Sequence, residues 1–179
     1  MAGFLRAAAS VITETGYERA TMSAIAERAR SCIGSLYQFF PNKRSVAEAL
    51  RDQYVKEIEQ SWIALGRQAA ALSAEDLTCR LVRLQIEIIK THPALLALLD
   101  VPPASHKRRE LICARIATVL MAHKPRMLRT TALRIASVVQ QVSRALFTLY
   151  AQTDGDEKIA TIEEFKSVLT GYLVPKLKS

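Results

Sequence analysis

The chain has 179 residues, half of them hydrophobic, and its 25 Lys and Arg against 17 Asp and Glu leave a net charge of +8. That length supports one ordinary core, or a small domain fused to a larger one, and the positive balance favours a polyanionic partner, nucleic acid before an anionic membrane. Cys32, Cys79 and Cys113 are too widely spaced for a metal or disulfide framework, and with no leader sequence or membrane-length apolar run the chain reads as a soluble cytoplasmic protein.

Phe4 to Thr15 is predicted as the first helix, because Phe4, Ala8, Val11 and Ile12 fall on one face and Gly16 can end it as the residue past the C-cap. Thr21 then caps a short helix in which Ala24, Ile25, Ala26 and Ala29 allow close packing on a neighbour. Arg30-Ser31-Cys32 is left as a turn before a third helix, Ile33 to Phe40, which Pro41 terminates. Helix, three-residue turn, helix is the spacing of the helix-turn-helix, whose second helix lies in the DNA major groove.

Asn42 caps a fourth helix, about Lys43 to Leu65, in which Val46, Leu50, Tyr54, Ile58 and Trp62 recur every four residues. Ser73 caps a fifth, Glu75 to Thr91, with Leu77, Leu81, Leu84 and Ile88 as its buried face. Pro93 opens a short apolar helix, Ala94 to Leu99. Val101-Pro102-Pro103 breaks the chain, and Ser105 caps a seventh helix that reaches about Ala122 before Pro125. The eighth, Met127 to Gln152, carries Leu128, Ile135, Val138, Val139, Val142, Leu146 and Leu149. After a turn at Thr153-Asp154-Gly155-Asp156, the last helix, Ile159 to Leu177, carries Ile162, Phe165, Val168, Leu169, Tyr172 and Leu173. The expected fold is all-α with nine helices: a three-helix helix-turn-helix domain over residues 1–45 and a helical body over 46–179. The last two helices carry more apolar surface than a monomer of this size needs.

The segment AAASVITETGYERATM, followed by IAERA and IGSLYQFFPNK, resembles the DNA-binding domain of the TetR/AcrR family of bacterial regulators. Gly16-Tyr17, Thr21, Gly34-Ser35-Leu36-Tyr37 and Phe39-Phe40-Pro41-Asn42-Lys43 carry the resemblance at fixed spacing. It implies a transcriptional repressor that is a homodimer through its last two helices, about 127–152 and 159–177. Such a repressor sits on a palindromic operator in double-stranded DNA and is released when a small-molecule effector enters the helical body.

Ile33, Gly34 and Ser35 stand at the end of the third helix that enters the groove. Gly34 permits close backbone approach, and Gln38 has the chemistry for bidentate readout of adenine. Tyr37 matches the family position whose hydroxyl contacts a phosphate. Thr21 and Ser23 at the second helix, and Lys43 at the fourth, suit phosphates through helix dipole and charge. Arg30, Ser31 and Cys32 replace the family's usual Gly, Val and Ser or Thr. If Arg30 is left-handed, the missing glycine costs about 1–2 kcal/mol, and a phosphate contact from Arg30 can offset part of that. Leu36 and Phe40 are expected in the core. Phe39 stands where relatives carry Tyr or His, which removes one phosphate contact.

Tyr54, Ile58 and Trp62 on the fourth helix, with Phe147 and Tyr150 on the eighth, are candidates to line a mainly apolar effector pocket, with ordinary core as the competing reading for each. No cofactor is called for. His92, His106 and His123 have no metal or triad spacing, and neither a phosphate loop nor a glycine-rich dinucleotide turn occurs, so no catalytic or metal site is expected. The rival reading is a helical adaptor or membrane-surface protein that uses Lys107-Arg108-Arg109 and the apolar late helices.

Overall fold

A computed structural model describes residues 1–99, 101 and 107–178. Among these residues there are nine α-helices and no strand: α1 (Ala2–Thr15), α2 (Met22–Arg28), α3 (Ile33–Phe39), α4 (Lys43–Gln68), α5 (Ala74–Thr91), α6 (Ala94–Ala97), α7 (Lys107–His123), α8 (Arg129–Gln152) and α9 (Gly155–Lys178). A single 3-10 turn, Ala69–Ala71, follows α4. The packing forms two compact units, Met1–Glu57 with Thr91–Ala104, and Ile58–Lys90 with Ser105–Ser179. The division falls inside α4.

In the first unit, α1 buries Phe4, Leu5, Ala7, Ala8, Val11 and Ile12, and packs on α2 and α6. Helices of seven residues, such as α2 and α3, have little stability of their own, because nucleation is costly and few internal bonds follow it. Tertiary anchors hold them here. Ile25, Ala26 and Leu36 are almost fully buried, and Phe40 joins them just past α3. On α4 the buried side chains are Val46, Ala47, Leu50 and Tyr54, and Arg51 lies buried among these apolar positions.

In the second unit, α7 packs on α8 and on the 3-10 turn, and α8 packs on α9. The buried face of α5 is broader than its leucine spacing indicates. It comprises Leu77, Thr78, Leu81, Val82, Gln85, Ile86 and Ile89, while Leu84 and Ile88, expected inside, are half-buried. The polar members explain the shift. Thr78 donates from Oγ1 to the Ala74 carbonyl at 2.8 Å and Gln85 from Nε2 to the Leu81 carbonyl at 3.2 Å, so both enter the core with their hydrogen bonds made inside the helix.

Several boundaries differ from expectation; α1 begins at Ala2 rather than Phe4, and α4 runs on to Gln68 rather than about Leu65. α9 begins at Gly155, which shortens the predicted turn to Thr153-Asp154; Asp156 and Glu157 then lie in its first turn, where carboxylates complement the helix dipole. α8 begins at Arg129, which leaves Leu128 outside the helix and 71 % exposed rather than in its apolar stripe. α6 ends at Ala97, with Leu98 as its C-cap. The predicted cap at Ser105 and the break at Pro102-Pro103 lie outside the described residues. No helix among the described residues is long and apolar enough to cross a membrane. On α8 and α9, Val138, Leu149, Ile159 and Val168 remain exposed, the last at 55 %.

Candidate nucleic-acid interface

The helix-turn-helix is assembled by a small set of polar contacts around its apolar centre. Thr21 caps α2: its Oγ1 accepts the Ala24 backbone N–H at 3.1 Å. Across the domain, the Arg28 guanidinium meets the Glu14 carboxylate through two bonds of 2.6 Å, which ties α2 to α1. Ser10 donates to the same carboxylate at 2.8 Å. These hydrogen bonds, led by that from Arg28, pull the Glu14 carboxyl down from 4.5 to about 2.

The turn between α2 and α3 shows what the missing glycine does. The Arg30 N–H donates to the Glu27 carbonyl at 2.9 Å and the Ser31 N–H to the Ala26 carbonyl at 3.0 Å. These are the paired bonds of a Schellman ending, whose C′ residue must be left-handed. Arg30 occupies that place with φ +51°, and it is the only non-glycine with positive φ among the described residues. Cys32 begins α3 without a side-chain bond to the helix backbone. Its exposed Sγ instead lies 3.0 Å from Ser35 Oγ, a hydrogen bond that lowers the thiol from its ordinary pKa.

α3 turns Leu36 inward and leaves Ile33, Gly34, Tyr37, Gln38 and Phe39 exposed, with Ser35 half-buried. Tyr37 and Gln38 therefore stand beside Ile33 and Gly34 on one accessible surface. Gly34 has ordinary helical φ, and a Cβ added there would meet nothing within 4 Å. Neither packing nor backbone geometry inside the chain requires a glycine at this position. Phe39 leans on Phe4 with ring centroids 5.9 Å apart, so its exposed ring is fastened to α1.

Beyond α3, Asn42 and Ser45 cap α4 reciprocally. The Ser45 N–H donates to Asn42 Oδ1 at 2.9 Å, and the Asn42 N–H to Ser45 Oγ at 3.2 Å. Lys43 is less free than its sequence position implies. Its Nζ donates to the carbonyls of Tyr17 and Glu18, both at 2.8 Å, and sits 4.5 Å from the centre of the Tyr17 ring. It closes the α1–α2 connection and retains one N–H for an outside acceptor. Thr21 and Ser23 are exposed at the start of α2, and Thr21 keeps its hydroxyl proton for donation. The eleven candidate DNA residues thus lie on α3, on the turn before it, and at the starts of α2 and α4.

The candidate effector residues divide between the units. Tyr54 is buried in the first, where burial pushes its hydroxyl up to about 12 and its ring stacks on His92 at 4.3 Å between centroids. It also borders a groove of about 300 Å³ with Ala9, Ser10, Thr13, Thr91 and Pro93. Trp62 is buried in the second unit, where Ile58, Phe147 and Tyr150 are half-buried. Among the described residues, no group of three or more His, Cys, Asp or Glu could hold a metal ion.

One residue of the first unit was missed in the sequence: Arg51, which reads there as one more surface charge. A signal existed. Ala47, Leu50, Arg51 and Tyr54 follow the i, i+3, i+4, i+7 spacing of a buried face, so a charge in that series requires buried partners.

Residues 4–50 match the family model described as bacterial regulatory proteins, tetR family, and residues 73–173 match that of the tetracyclin repressor-like C-terminal domain. The chain is similar to the A-factor receptor protein of Streptomyces griseus, 38 % identical over an alignment of 90 residues that covers 45 % of this chain and 33 % of the receptor. That match spans about a third of the relative's length. Among solved structures, a TetR-family transcriptional regulator from Streptomyces coelicolor aligns with a TM-score of 0.70 at 25 % identity, covering 96 % of both chains. A regulator from Pectobacterium atrosepticum aligns with a TM-score of 0.74 at 19 % identity, covering 96 % of this chain and 91 % of the other.

Proposed function

This chain belongs to the TetR family of bacterial regulatory proteins and is a DNA-binding transcriptional regulator, and from that premise we propose that it is a homodimeric repressor released from a palindromic operator by a small-molecule effector. Regulators of this family bind DNA and small-molecule effectors and are dimers. They are transcription factors rather than enzymes. The observation that carries the reading is the exposed surface of α3, where a glycine that nothing inside the chain needs lies beside Ile33, Tyr37 and Gln38. Gly34 is the second residue of α3, where alanine would still be the better helix former though by less than the roughly 0.5–1 kcal/mol of a helix interior, so the residue makes sense if something outside comes very close.

In this reading residues 1–45 form the DNA-reading head and 46–179 the effector-binding and dimerising body. Ile33, Gly34, Ser35 and Gln38 face base edges, while Tyr37, Thr21, Ser23, Lys43 and Arg30 position the head on phosphates, with Ser31 and Cys32 framing the entry of α3. The exposed apolar residues Val138 and Leu149 of α8 and Ile159 and Val168 of α9 support a partner made of the same two helices from a second copy. The effector is a largely apolar small molecule, and Tyr54, Ile58, Trp62, Phe147 and Tyr150 are the residues we assign to it. The resemblance to a protein described as the A-factor receptor supports a receptor role for the body. The protein acts in the cytoplasm, where its operator is.

Selection of bound duplexes from a random pool at near-physiological salt tests the proposal. One enriched palindrome is expected, with half-sites spaced for two recognition helices about 34–36 Å apart or more. A folded protein that enriches nothing, or enriches single non-repeated sites, refutes the dimeric operator reader and returns the adaptor reading to consideration.

A further inference from the structure

Within the second unit, the later half of α4 and the helix α7 run side by side, because their contacts advance together along both. The Glu59 carboxylate meets Arg115, a Cβ added at Gly66 would lie 3.9 Å from Val119 Cγ2, and His123 Nδ1 lies 2.9 Å from the Ala69 carbonyl. At Gly66 and Ala69 the side chains of α7 reach backbone. At Glu59 only two long side chains meet, so the helices splay towards that end. Trp62 lies one turn from Glu59 on this face of α4 and is buried.

The ion pair across this wedge uses Arg115 incompletely. Its Nη2 lies 2.6 Å from Glu59 Oε1, yet its Nε is buried without a hydrogen-bond partner, the one such side-chain nitrogen or oxygen among the described residues. A guanidinium carries five N–H donors in a rigid fork, and a donor left dry and unbonded is costly. One edge of that fork, Nε with a neighbouring Nη, fits both oxygens of a carboxylate. The Arg115 and Glu59 side chains are 38 % and 25 % exposed, so the pair sits at the rim of the unit, within reach of an incoming anion.

We infer that Arg115 anchors an effector that carries a carboxylate on an apolar body. The carboxylate takes Nε and a neighbouring Nη, and the apolar body lies between α4 and α7 against Trp62. Glu59 is an internal competitor, displaced towards the solvent it already touches. A neutral analogue of the same shape leaves the orphaned donor unpaired and is bound less well. This inference deepens the effector reading above and rests on it.

Trp62 is the single tryptophan of the chain, so its emission, checked by calorimetry, reports on this site. Decanoate and phenylbutyrate serve as probes, with decanol and phenylbutanol as their neutral counterparts. Each acid is expected to shift Trp62 emission saturably and to bind about tenfold tighter than its alcohol. Arg115→Met removes the preference for the acid, and Arg115→Lys keeps part of it. Glu59→Gln tightens the acids severalfold and leaves the alcohols unchanged. These opposite signs separate recognition from architecture, because a pair that merely holds α4 to α7 would weaken every probe in both variants. Should Arg115→Met fail to fold, the double variant Arg115→Met with Glu59→Gln, which strands no charge, must bind acid and alcohol equally. Acids that bind the wild type no tighter than the alcohols, or a Glu59→Gln variant that loosens them, would overturn the inference. If the acids bind in this Arg115-dependent way while the enriched duplex stays bound at saturation, the anchor stands and the effector reading falls.

Discussion

Replacing Arg30 by glycine separates two properties that this residue combines. The backbone at Arg30 is left-handed, φ +51°, in a turn whose Schellman bonds are intact. A side chain in that conformation costs about 1–2 kcal/mol, and Arg30→Gly removes the cost. Against this, glycine makes the unfolded chain freer by roughly 0.4–1 kcal/mol. The net expectation is a gain of about 0.5–1 kcal/mol in urea unfolding, read as a higher midpoint at unchanged m. Arg30→Ala retains the strained backbone and should fall below the glycine variant by about the same amount. Both variants lose the exposed cation, so if each Arg30 of a dimer meets one phosphate, both should lower the salt slope of operator binding by about 1.8, or 0.9 for each contact. Equal stability of the glycine and alanine variants would refute the strain argument. An unchanged salt slope in both would remove Arg30 from the phosphate contacts and leave the stability result standing.

Other consequences can be measured alongside. Gly34→Ala should stabilise the protein slightly, by less than the roughly 0.5–1 kcal/mol of a helix interior because Gly34 lies in the first turn of α3, while weakening operator binding at least tenfold; a variant that is at least as stable and binds normally would mean that nothing approaches Gly34. The depressed Glu14 carboxyl contributes stability that is fully present above its ordinary value of 4.5 and is lost as pH falls towards about 2. Acid titration of the wild type should therefore show a loss over that window that Glu14→Gln lacks, modest in size because both partners are near half exposed, and identical titrations would dismiss the linkage. Val138→Glu combined with Val168→Glu places charge on an exposed apolar residue of each of α8 and α9, and sedimentation should show monomers that remain helical; a stable dimer would move the interface elsewhere.

The helices were legible because their signals are local. Thr21, Gly16, Asn42 and Pro41 mark ends through the bonds they can make or cannot make, and the four-residue spacing from Val46 to Trp62 marks a buried face. The left-handed turn at Arg30 could be anticipated as well, since the position in the motif, not the residue, dictates the conformation. What could not be read were contacts between residues distant in sequence. Arg28 finds Glu14 fourteen positions away, Lys43 reaches the carbonyls of Tyr17 and Glu18, and Arg51 reaches carbonyls 47 and 50 positions on. Leu84 and Ile88 misled for a related reason: hydrophobicity ranks side chains by what they avoid, whereas Thr78 and Gln85 entered the core by bonding within their own helix.

The proposed pairing through α8 and α9 would also set a dosage rule. A regulator that must pair before it can hold two half-sites follows mass action, so at low abundance the population of pairs grows with the square of the protomer concentration. Occupancy of the operator then responds to the rate of synthesis as a threshold rather than in proportion. In that proposed dimer the exposed apolar residues of α8 and α9 would make newly made, unpaired chains the adhesive ones, and the interval between folding and pairing would be when they are most exposed to aggregation and proteolysis.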